Sequence, residues 1–278
     1  MNRHKWFFIF GFIVSFSVVF AGCASASESS QKTVAESETE SVSVVTPAFN
    51  DENQAYWREV IQTYRIDDRV GQILLVRCTE GSNAVVQFFD KQREQNNAWT
   101  LVFETDAYIG KYGAGKTQEG DAKTPIGDFG VLSAFGLLED PGTGLDYIEI
   151  TPTTYACDEE GEFYNRIIDT KATGHDCTGE EMFLYTPEYN YGIATNYNVE
   201  GEWPKGSAIF LHCKGAKVFT GGCVAIDEEH MKTVLQYAEP GMRIIINEEY
   251  ADHQEPIVVP DGSSALLGTG TIEELVEV

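Results

Sequence analysis

The chain has 278 residues, of which 42% are hydrophobic, so it is long enough to bury one large core or two smaller ones. Its formal net charge at pH 7 is −25. So large an acidic excess argues against binding to nucleic acid and against electrostatic attachment to anionic lipid, because both of those surfaces are negatively charged.

The first residues predict a targeting signal. Arg3 and Lys5 precede an apolar stretch, Trp6 to Phe20, which is too short for a comfortable membrane span. This stretch runs into Phe20-Ala21-Gly22-Cys23, and small residues directly before a Cys resemble the lipobox of bacterial lipoproteins. The resemblance predicts cleavage after residue 22 and a lipid on Cys23, which would hold the protein on the outer face of a bacterial cell membrane. An ordinary secretory signal or an uncleaved anchor is the alternative.

Two polar segments flank the part that is predicted to fold. Residues 23–52 are rich in Ser, Glu and Thr, which is typical of a solvated, disordered tether. Residues 249–278 are acidic and contain no Lys or Arg, which indicates a mostly disordered tail. The predicted organisation is therefore a signal peptide over 1–22, the lipidated Cys and tether over 23–52, a folded domain over 53–248 and a tail over 249–278.

The first elements of the folded domain predict a short helix and a meander. Asn53 to Tyr64 has apolar residues at helical spacing. Gln72 to Cys78, Val85 to Phe89 and Thr100 to Asp106 are rich in apolar and β-branched residues and predict three antiparallel strands.

Strong helical character returns late in the chain. Glu228 to Tyr237 has an apolar face, and Asp227 is the predicted N-cap. Pro240-Gly241 ends that helix, and Met242 to Ile246 predicts a further strand. The fold class predicted from these elements is mainly β with a few short helices.

The stretch from Ser207 to Ile226 carries the chemistry. An apolar run reaches His212, a short polar loop follows, and the chain returns through Thr220-Gly221-Gly222 to Cys223. A His beside a Cys can take the thiol proton and stabilise the thiolate, whose pKa is otherwise about 8.5. We therefore predict Cys223 as nucleophile and His212 as base, with Thr220, Gly221 and Gly222 as substrate-binding residues. The amides of Gly222 and Cys223 would form an oxyanion hole. The alternative is an inert core Cys and a structural His.

The remaining cysteines leave pairing open. Five follow Cys23, so an exported chain would keep at least one free thiol; they are Cys78, Cys157, Cys177, Cys213 and Cys223. Cys157 and Cys177 could pair. Cys213 directly follows His212, so on a strand it would face away from the imidazole.

Two other stretches could indicate a different function from that of the Cys–His pair. His175, Cys177, His212 and Cys213 or Cys223 could assemble a zinc site, but no pair has the spacing of a zinc motif. Gly110 to Gly127 is glycine-rich with three lysines, but it lacks the helix that a phosphate loop requires. We predict no metal and no cofactor.

Two motifs together resemble the L,D-transpeptidase catalytic domain family. His212 followed by Thr220-Gly221-Gly222-Cys223-Val224 is similar to that family's catalytic signature, in which the Cys is the nucleophile and the His its base. Gly120-Asp121-Ala122-Lys123-Thr124-Pro125-Ile126-Gly127 resembles the family's upstream segment. The motifs occur in the family's order, and the likeness extends over about Gln72 to Asn247.

The resemblance implies a mainly β catalytic domain, a sandwich or mixed sheet, in the bacterial cell envelope. It implies acyl transfer on peptidoglycan stem peptides through a Cys thioester, giving 3→3 crosslinks and serving cell-wall synthesis and cell shape. Water as acceptor would give L,D-carboxypeptidase activity instead, and a non-catalytic wall-binding lipoprotein is a further alternative. The expected partners are stem peptides and a membrane reached through the lipid anchor, with the protein itself a monomer and no nucleic acid bound.

The sequence departs from the family pattern at two places in the box. Gly221 stands where many members have His, and Ala225 stands where many have Arg or Asn. The segment between His212 and Cys223 is also shorter than the usual form. Asp121 and Lys123 are interpreted as turn residues in preference to substrate contacts.

Overall fold

The computed structural model describes residues 59–248, and its regular secondary structure is mostly β-strand. The strands are β1 (Gln72–Cys78), β2 (Asn83–Gln92), β3 (Ala98–Tyr108), β4 (Gly127–Gly136), β5 (Tyr147–Glu149), β6 (Thr154–Cys157), β7 (Arg166–Asp169), β8 (Glu180–Glu181), β9 (Gly192–Thr195), β10 (Phe210–Cys213), β11 (Val224–Ile226) and β12 (Arg243–Glu248). The helices are α1 (residues 59–63), α2 (Thr170–Thr173) and α3 (Glu228–Tyr237), with 3₁₀ turns at Arg93–Gln95 and Met182–Leu184. The predicted mainly β class with a few short helices is confirmed.

The opening meander forms as predicted, with longer second and third strands. β1 pairs antiparallel with β2, and β2 pairs antiparallel with β3. The β2–β3 ladder continues from Asn83 opposite Tyr108 to Gln92 opposite Ala98, past the apolar runs that predicted the strands. Polar residues at both ends join the strands because a ladder needs only backbone groups once pairing has begun.

Nine strands make one mixed sheet, in the order β12-β1-β2-β3-β11-β10-β9-β4-β5. The pairs β1–β12, β10–β11 and β4–β5 are parallel. β12 also pairs with β4, so the strands from β12 to β4 form a sheet that closes on itself. β1 is buried along its whole length, with Leu74 and Val76 in one apolar cluster and Ile73 and Leu75 in another. Four successive apolar residues, Ile73 to Val76, are expected in a strand whose two faces are both covered.

The chain between β5 and β9 forms a second, three-stranded sheet in the order β7-β6-β8. A disulfide joins Cys157, the last residue of β6, to Cys177, in the loop before β8. The prediction that these two cysteines could pair is therefore confirmed. We call residues 151–191 the insertion, because they separate β5 from β9 and carry this second sheet.

Helix α3 has the predicted bounds but a different N-terminal contact. Met231, Val234 and Leu235 are buried, as its apolar face requires. Asp227 stands at the N-cap position, yet its side chain makes no capping hydrogen bond. Its Oδ2 instead accepts from the ammonium of Lys214, 3.1 Å away. Asp227 is therefore the N-cap residue, as predicted, with its carboxylate paired to Lys214 and not to an amide of the helix.

Several predictions concern residues outside the described part. The signal peptide over 1–22, the lipidation site Cys23, the tether over 23–52 and the tail over 249–278 all lie outside residues 59–248. Within residues 59–248, no helix is both long enough and apolar enough to cross a membrane.

Candidate active site

His212 and Cys223 lie on one face of the sheet. β10 and β11 are parallel neighbours, with Leu211 opposite Val224 and His212 opposite Ala225. Successive residues of a strand point to opposite faces, so Cys223, Ala225 and His212 share one face. Both His212 and Cys223 line the same cleft of about 420 Å³. The sheet thus brings together the two side chains that the sequence predicts as a pair.

The imidazole of His212 is held in one orientation. Its Nδ1 lies 2.8 Å from the backbone oxygen of Cys213, and a carbonyl can only accept, so Nδ1 carries the proton. The ring of Tyr189 stands edge-on to it, with centroids 5.5 Å apart at 86°. Burial lowers the pKa of His212, although the Cys213 carbonyl and the charge of Glu188 oppose that shift. A neutral imidazole with a bare Nε2 results, which is the form that can accept a proton.

The thiol of Cys223 sits against the backbone that precedes His212. It donates to the carbonyl of Ala208 at 3.1 Å, and the amide of Phe210 donates to the sulfur at 3.3 Å. Among residues 59–248, these are its hydrogen bonds, and neither involves His212. Burial and the nearby charge of Glu180 raise the pKa of the thiol to about 12, against weaker opposing effects of the Phe210 amide and Lys116. The pair therefore rests as thiol and imidazole, not as an ion pair.

The other free cysteines lie elsewhere. Cys213 faces the opposite side of β10 from His212 and packs in the largest apolar cluster, as its position after His212 predicts. Burial raises the pKa of its thiol to about 12. Cys78 is buried in β1 in the same cluster. Of the cysteines in residues 59–248, Cys223 is the one whose side chain reaches the cleft.

The side chain of Thr220 fixes the turn before Cys223. Thr220 donates its hydroxyl to the Cys223 carbonyl at 2.7 Å and accepts from the Gly222 amide at 3.1 Å. The Gly222 amide is therefore already engaged, whereas the amides of Gly221 and Cys223 have no hydrogen-bond partner within residues 59–248. This differs from the prediction that pairs Gly222 with Cys223 as the free donors, because the sequence does not reveal that Thr220 turns back on its own loop.

Gly222 has a specific reason to be glycine. Its φ is 150°, and a Cβ there would stand 2.9 Å from the carbonyl oxygen of Lys123 and 3.0 Å from Ile209 Cδ1. Gly221 is exposed, and open space surrounds its Cβ position. The absence of a side chain at Gly222 thus lets this turn pack closely against the upstream segment at Lys123.

The two motifs that carry the family resemblance touch each other. Thr124 is fully buried, accepts from the amide of Gly110 at 2.8 Å and donates to the Cys223 carbonyl at 3.2 Å. Gly110 in turn forms a parallel bridge with Thr220. Asp121 accepts backbone hydrogen bonds within its own turn, in keeping with the structural role inferred from the sequence.

The cleft has charges of both signs that sequence reasoning missed. Three lysines line it, namely Lys111, Lys116 and Lys217, together with four acids, namely Glu119, Asp158, Glu180 and Glu188. Most of the acids come from the insertion, where the sequence shows only an acidic loop. Burial raises the pKa of Glu180, whose carboxylate accepts from the Tyr189 hydroxyl, and burial likewise raises that of Asp158. No local signal predicted that these side chains would face Cys223.

The proposed zinc ligands do not come together. Cys177 is bonded to Cys157, so its sulfur is not a thiolate ligand. His175 contacts Glu159 at 2.9 Å and does not line the cleft that holds His212 and Cys223. A group of Cys157, Glu159 and His175 does lie within 4.8 Å, but the disulfide commits the sulfur of Cys157.

Comparison with known proteins supports the family. The family model YkuD, described as the L,D-transpeptidase catalytic domain, matches residues 83–246. The helical cell shape determining protein Pgp2 from Campylobacter jejuni is 16% identical over 69% of this chain and 55% of its own, with a TM-score of 0.34. L,D-transpeptidase 1 from Mycobacterium tuberculosis is 14% identical over 63% of this chain and 62% of its own, with a TM-score of 0.27.

The chain spans less than two thirds of the length of either structure. Comparison with curated proteins finds no relative. The family model covers more than half of the chain and includes both motifs, the upstream segment with Thr124 and the box with Cys223. The chain therefore belongs to the L,D-transpeptidase catalytic domain family.

Proposed function

We propose that the chain transfers an acyl group of a peptidoglycan stem peptide through a thioester on Cys223, with His212 as the base. One observation carries this proposal. The two side chains share a face of the sheet and a cleft, while the bond from His212 Nδ1 to a carbonyl leaves Nε2 bare. Membership of the family supports peptidoglycan as the substrate class.

The first half-reaction forms the thioester. His212 Nε2 takes the proton from Cys223 Sγ, and the thiolate attacks the carbonyl of the third residue of a tetrapeptide stem. The tetrahedral intermediate collapses when its C–N bond breaks, and the imidazolium returns the proton to the departing amine of the terminal D-Ala. Because burial raises the pKa of the thiol and lowers that of the imidazole, both groups are neutral before this proton transfer.

The second half-reaction releases the acyl group. A side-chain amine of another stem attacks the thioester, and His212 takes the amine's proton. The C–S bond then breaks and the imidazolium returns that proton to the departing Cys223 thiolate, giving a 3→3 crosslink and the free thiol. Water in place of the amine would give a free carboxylate, which is L,D-carboxypeptidase activity. Both routes use the same residues, so the acceptor alone distinguishes them.

The Cys223 amide is the donor that we assign to the developing oxyanion. It has no hydrogen-bond partner within residues 59–248, and it belongs to the nucleophile itself. The Gly222 amide could join it only if Thr220 released its bond. A preorganised donor at the oxyanion is worth about 3 kcal/mol of barrier in acyl-transfer enzymes.

We propose further that the protein works outside the cytoplasm, held to the membrane by a lipid on Cys23. The lipobox-like sequence before Cys23 supports the anchor. The disulfide between Cys157 and Cys177 supports an oxidising compartment, because such bonds are rare in reducing ones.

The test is incubation of the purified protein with disaccharide-tetrapeptides, followed by mass analysis. A crosslinked dimer would establish transpeptidation, and a tripeptide would establish hydrolysis. Cys223→Ala should abolish either product, whereas Cys78→Ala, which removes a buried thiol remote from the cleft, should retain it. Unchanged substrate with a folded wild-type protein would contradict the enzyme and favour a wall-binding module.

A second measurement separates reactivity from substrate choice. A carbapenem should acylate Cys223 and add its mass to the intact protein. The adduct should disappear in Cys223→Ala and persist in Cys78→Ala. An adduct retained in Cys223→Ala would contradict the assignment of the nucleophile.

A further inference from the structure

Lys116 is a buried cation in the wall of the cleft. Its side chain is only 2% exposed, and its ammonium lies 3.0 Å from Asp121 Oδ1 and 3.2 Å from the carbonyl of Gln118. Its methylene chain packs directly against Gly206, which leaves no room there for a Cβ. A buried ammonium is costly unless it is paired, and here the carboxylate of Asp121 supplies the opposite charge.

The loop that holds Lys116 is fixed on two sides. Asp121 accepts from the backbone amides of Thr117, Gln118 and Lys123 as well as from Lys116. Burial would raise the pKa of Asp121, but these hydrogen bonds outweigh it and lower the pKa to about 2. On the other side, Glu119 accepts from the hydroxyls of Tyr164 and Ser207, each at 2.6 Å. The hydrogen bonds of Asp121 and Glu119 therefore fix the loop around Lys116, in addition to the ion pair that Lys116 itself makes.

The ammonium of Lys116 lies beside the nucleophile's turn. It is 3.7 Å from the Cβ position of Gly222, the residue before Cys223. Two of its three N–H groups have partners among residues 59–248, which leaves one uncommitted. The other charged or titratable groups that act near Cys223 are Glu180 and Tyr189 of the insertion and His212 of β10.

We propose that Lys116 is a positioning residue for the nucleophile: its ammonium, held by Asp121, stabilises Cys223 as the thiolate after the proton has left. The inference rests on the proposed function, in which that thiolate is the attacking group. An opposite charge within a few ångströms favours the ionised form of a thiol, and the buried cleft screens the attraction less than water would. Lys116 thereby offsets part of the opposing effect of Glu180 and of burial.

The test measures ionisation of Cys223 without any substrate. Iodoacetamide alkylates the thiolate, so its rate at pH 8 reports the thiolate fraction, and peptide mass analysis assigns the adduct to Cys223. Lys116→Met should slow alkylation by about tenfold, corresponding to one pKa unit. Asp121→Asn keeps a side-chain oxygen that can accept from the ammonium but removes the negative charge beside it, so this variant should be alkylated faster. Lys205→Met, which removes an exposed lysine paired with Glu202, should leave the rate unchanged.

The opposite signs separate an electrostatic role from a structural one. Both substitutions break the same ion pair, so a purely structural role would move both rates in the same direction. That outcome, or an unchanged rate in Lys116→Met, would overturn the proposal. If Lys116→Met fails to fold, Asp121→Asn still decides, because a rate equal to or below that of wild type in that variant would overturn the proposal. Since alkylation needs no muropeptide, inactivity on muropeptides would contradict the proposed function and leave this inference standing.

Discussion

The hydroxyl of Thr124 donates a hydrogen bond to the backbone carbonyl of Cys223 over 3.2 Å, although 99 positions separate the two residues. The same hydroxyl accepts from the amide of Gly110. Thr124 is fully buried, so neither bond competes with water. The upstream segment thus supports the nucleophile's turn from behind, which gives a physical reason for the two motifs to occur together.

Thr124→Val should destabilise the protein by about 1–3 kcal/mol, because it leaves the buried Gly110 amide without an acceptor while nearly preserving the side chain's shape. Thr124→Ser retains the hydroxyl, so its loss of stability should be clearly smaller. Chemical denaturation followed by tryptophan fluorescence measures both. An unfolding midpoint of Thr124→Val equal to that of wild type would show that the bond contributes nothing.

Gly222→Ala should be destabilising, whereas Gly221→Ala should be close to neutral. Gly222 combines a φ of 150° with the carbonyl of Lys123 at 2.9 Å from its Cβ position, so strain and overlap together should cost about 2–4 kcal/mol. Gly221 has open space in the same place. Thermal denaturation of the two variants side by side is the measurement, and equal melting temperatures would contradict the packing described for this turn.

Glu180→Gln should make Cys223 more reactive toward iodoacetamide at pH 8. The carboxylate of Glu180 raises the pKa of the thiol, second only to burial, so removal of its negative charge lowers that pKa and increases the thiolate fraction at a given pH. A several-fold faster rate is expected. Glu181→Gln removes the neighbouring charge, which does not act on Cys223, and serves as the matched control. A slower rate in Glu180→Gln would contradict the statement that the charge of Glu180 raises the pKa of the Cys223 thiol.

Reduction of the Cys157–Cys177 disulfide should destabilise the insertion. The bond joins residues 20 positions apart, and closing a loop of that length stabilises a fold by about 3 kcal/mol. A reducing agent should therefore lower the melting temperature and increase proteolysis within residues 151–191. The double variant Cys157→Ala/Cys177→Ala should melt at the reduced protein's temperature with or without the agent. A wild-type melting temperature unaffected by reduction would contradict this role.

The sequence predicted the first strand of the meander and helix α3 with their observed bounds, and it predicted the second and third strands shorter than they are. Gln72–Cys78 and Glu228–Tyr237 have the predicted bounds, because the apolar run Ile73 to Val76 and the amphipathic period of the helix are local properties. The contact that Asp227 makes was not predictable in this way. Its carboxylate bonds to Lys214, which follows β10 as Asp227 follows the parallel strand β11, and not to a residue of the helix.

The candidate nucleophile and base were identified by residue type and spacing, since a thiol and an imidazole in a glycine-flanked stretch are visible in the sequence itself. The parallel register of β10 and β11 is what sets them on one face, and that register depends on hydrogen bonds between strands. Likewise, only the folded chain decides that Thr220 occupies the Gly222 amide, that Lys116 is buried beside the turn, and that acids of the insertion face Cys223. The chemistry follows from side-chain identity, whereas the electrostatic environment that controls it comes from segments brought together by folding.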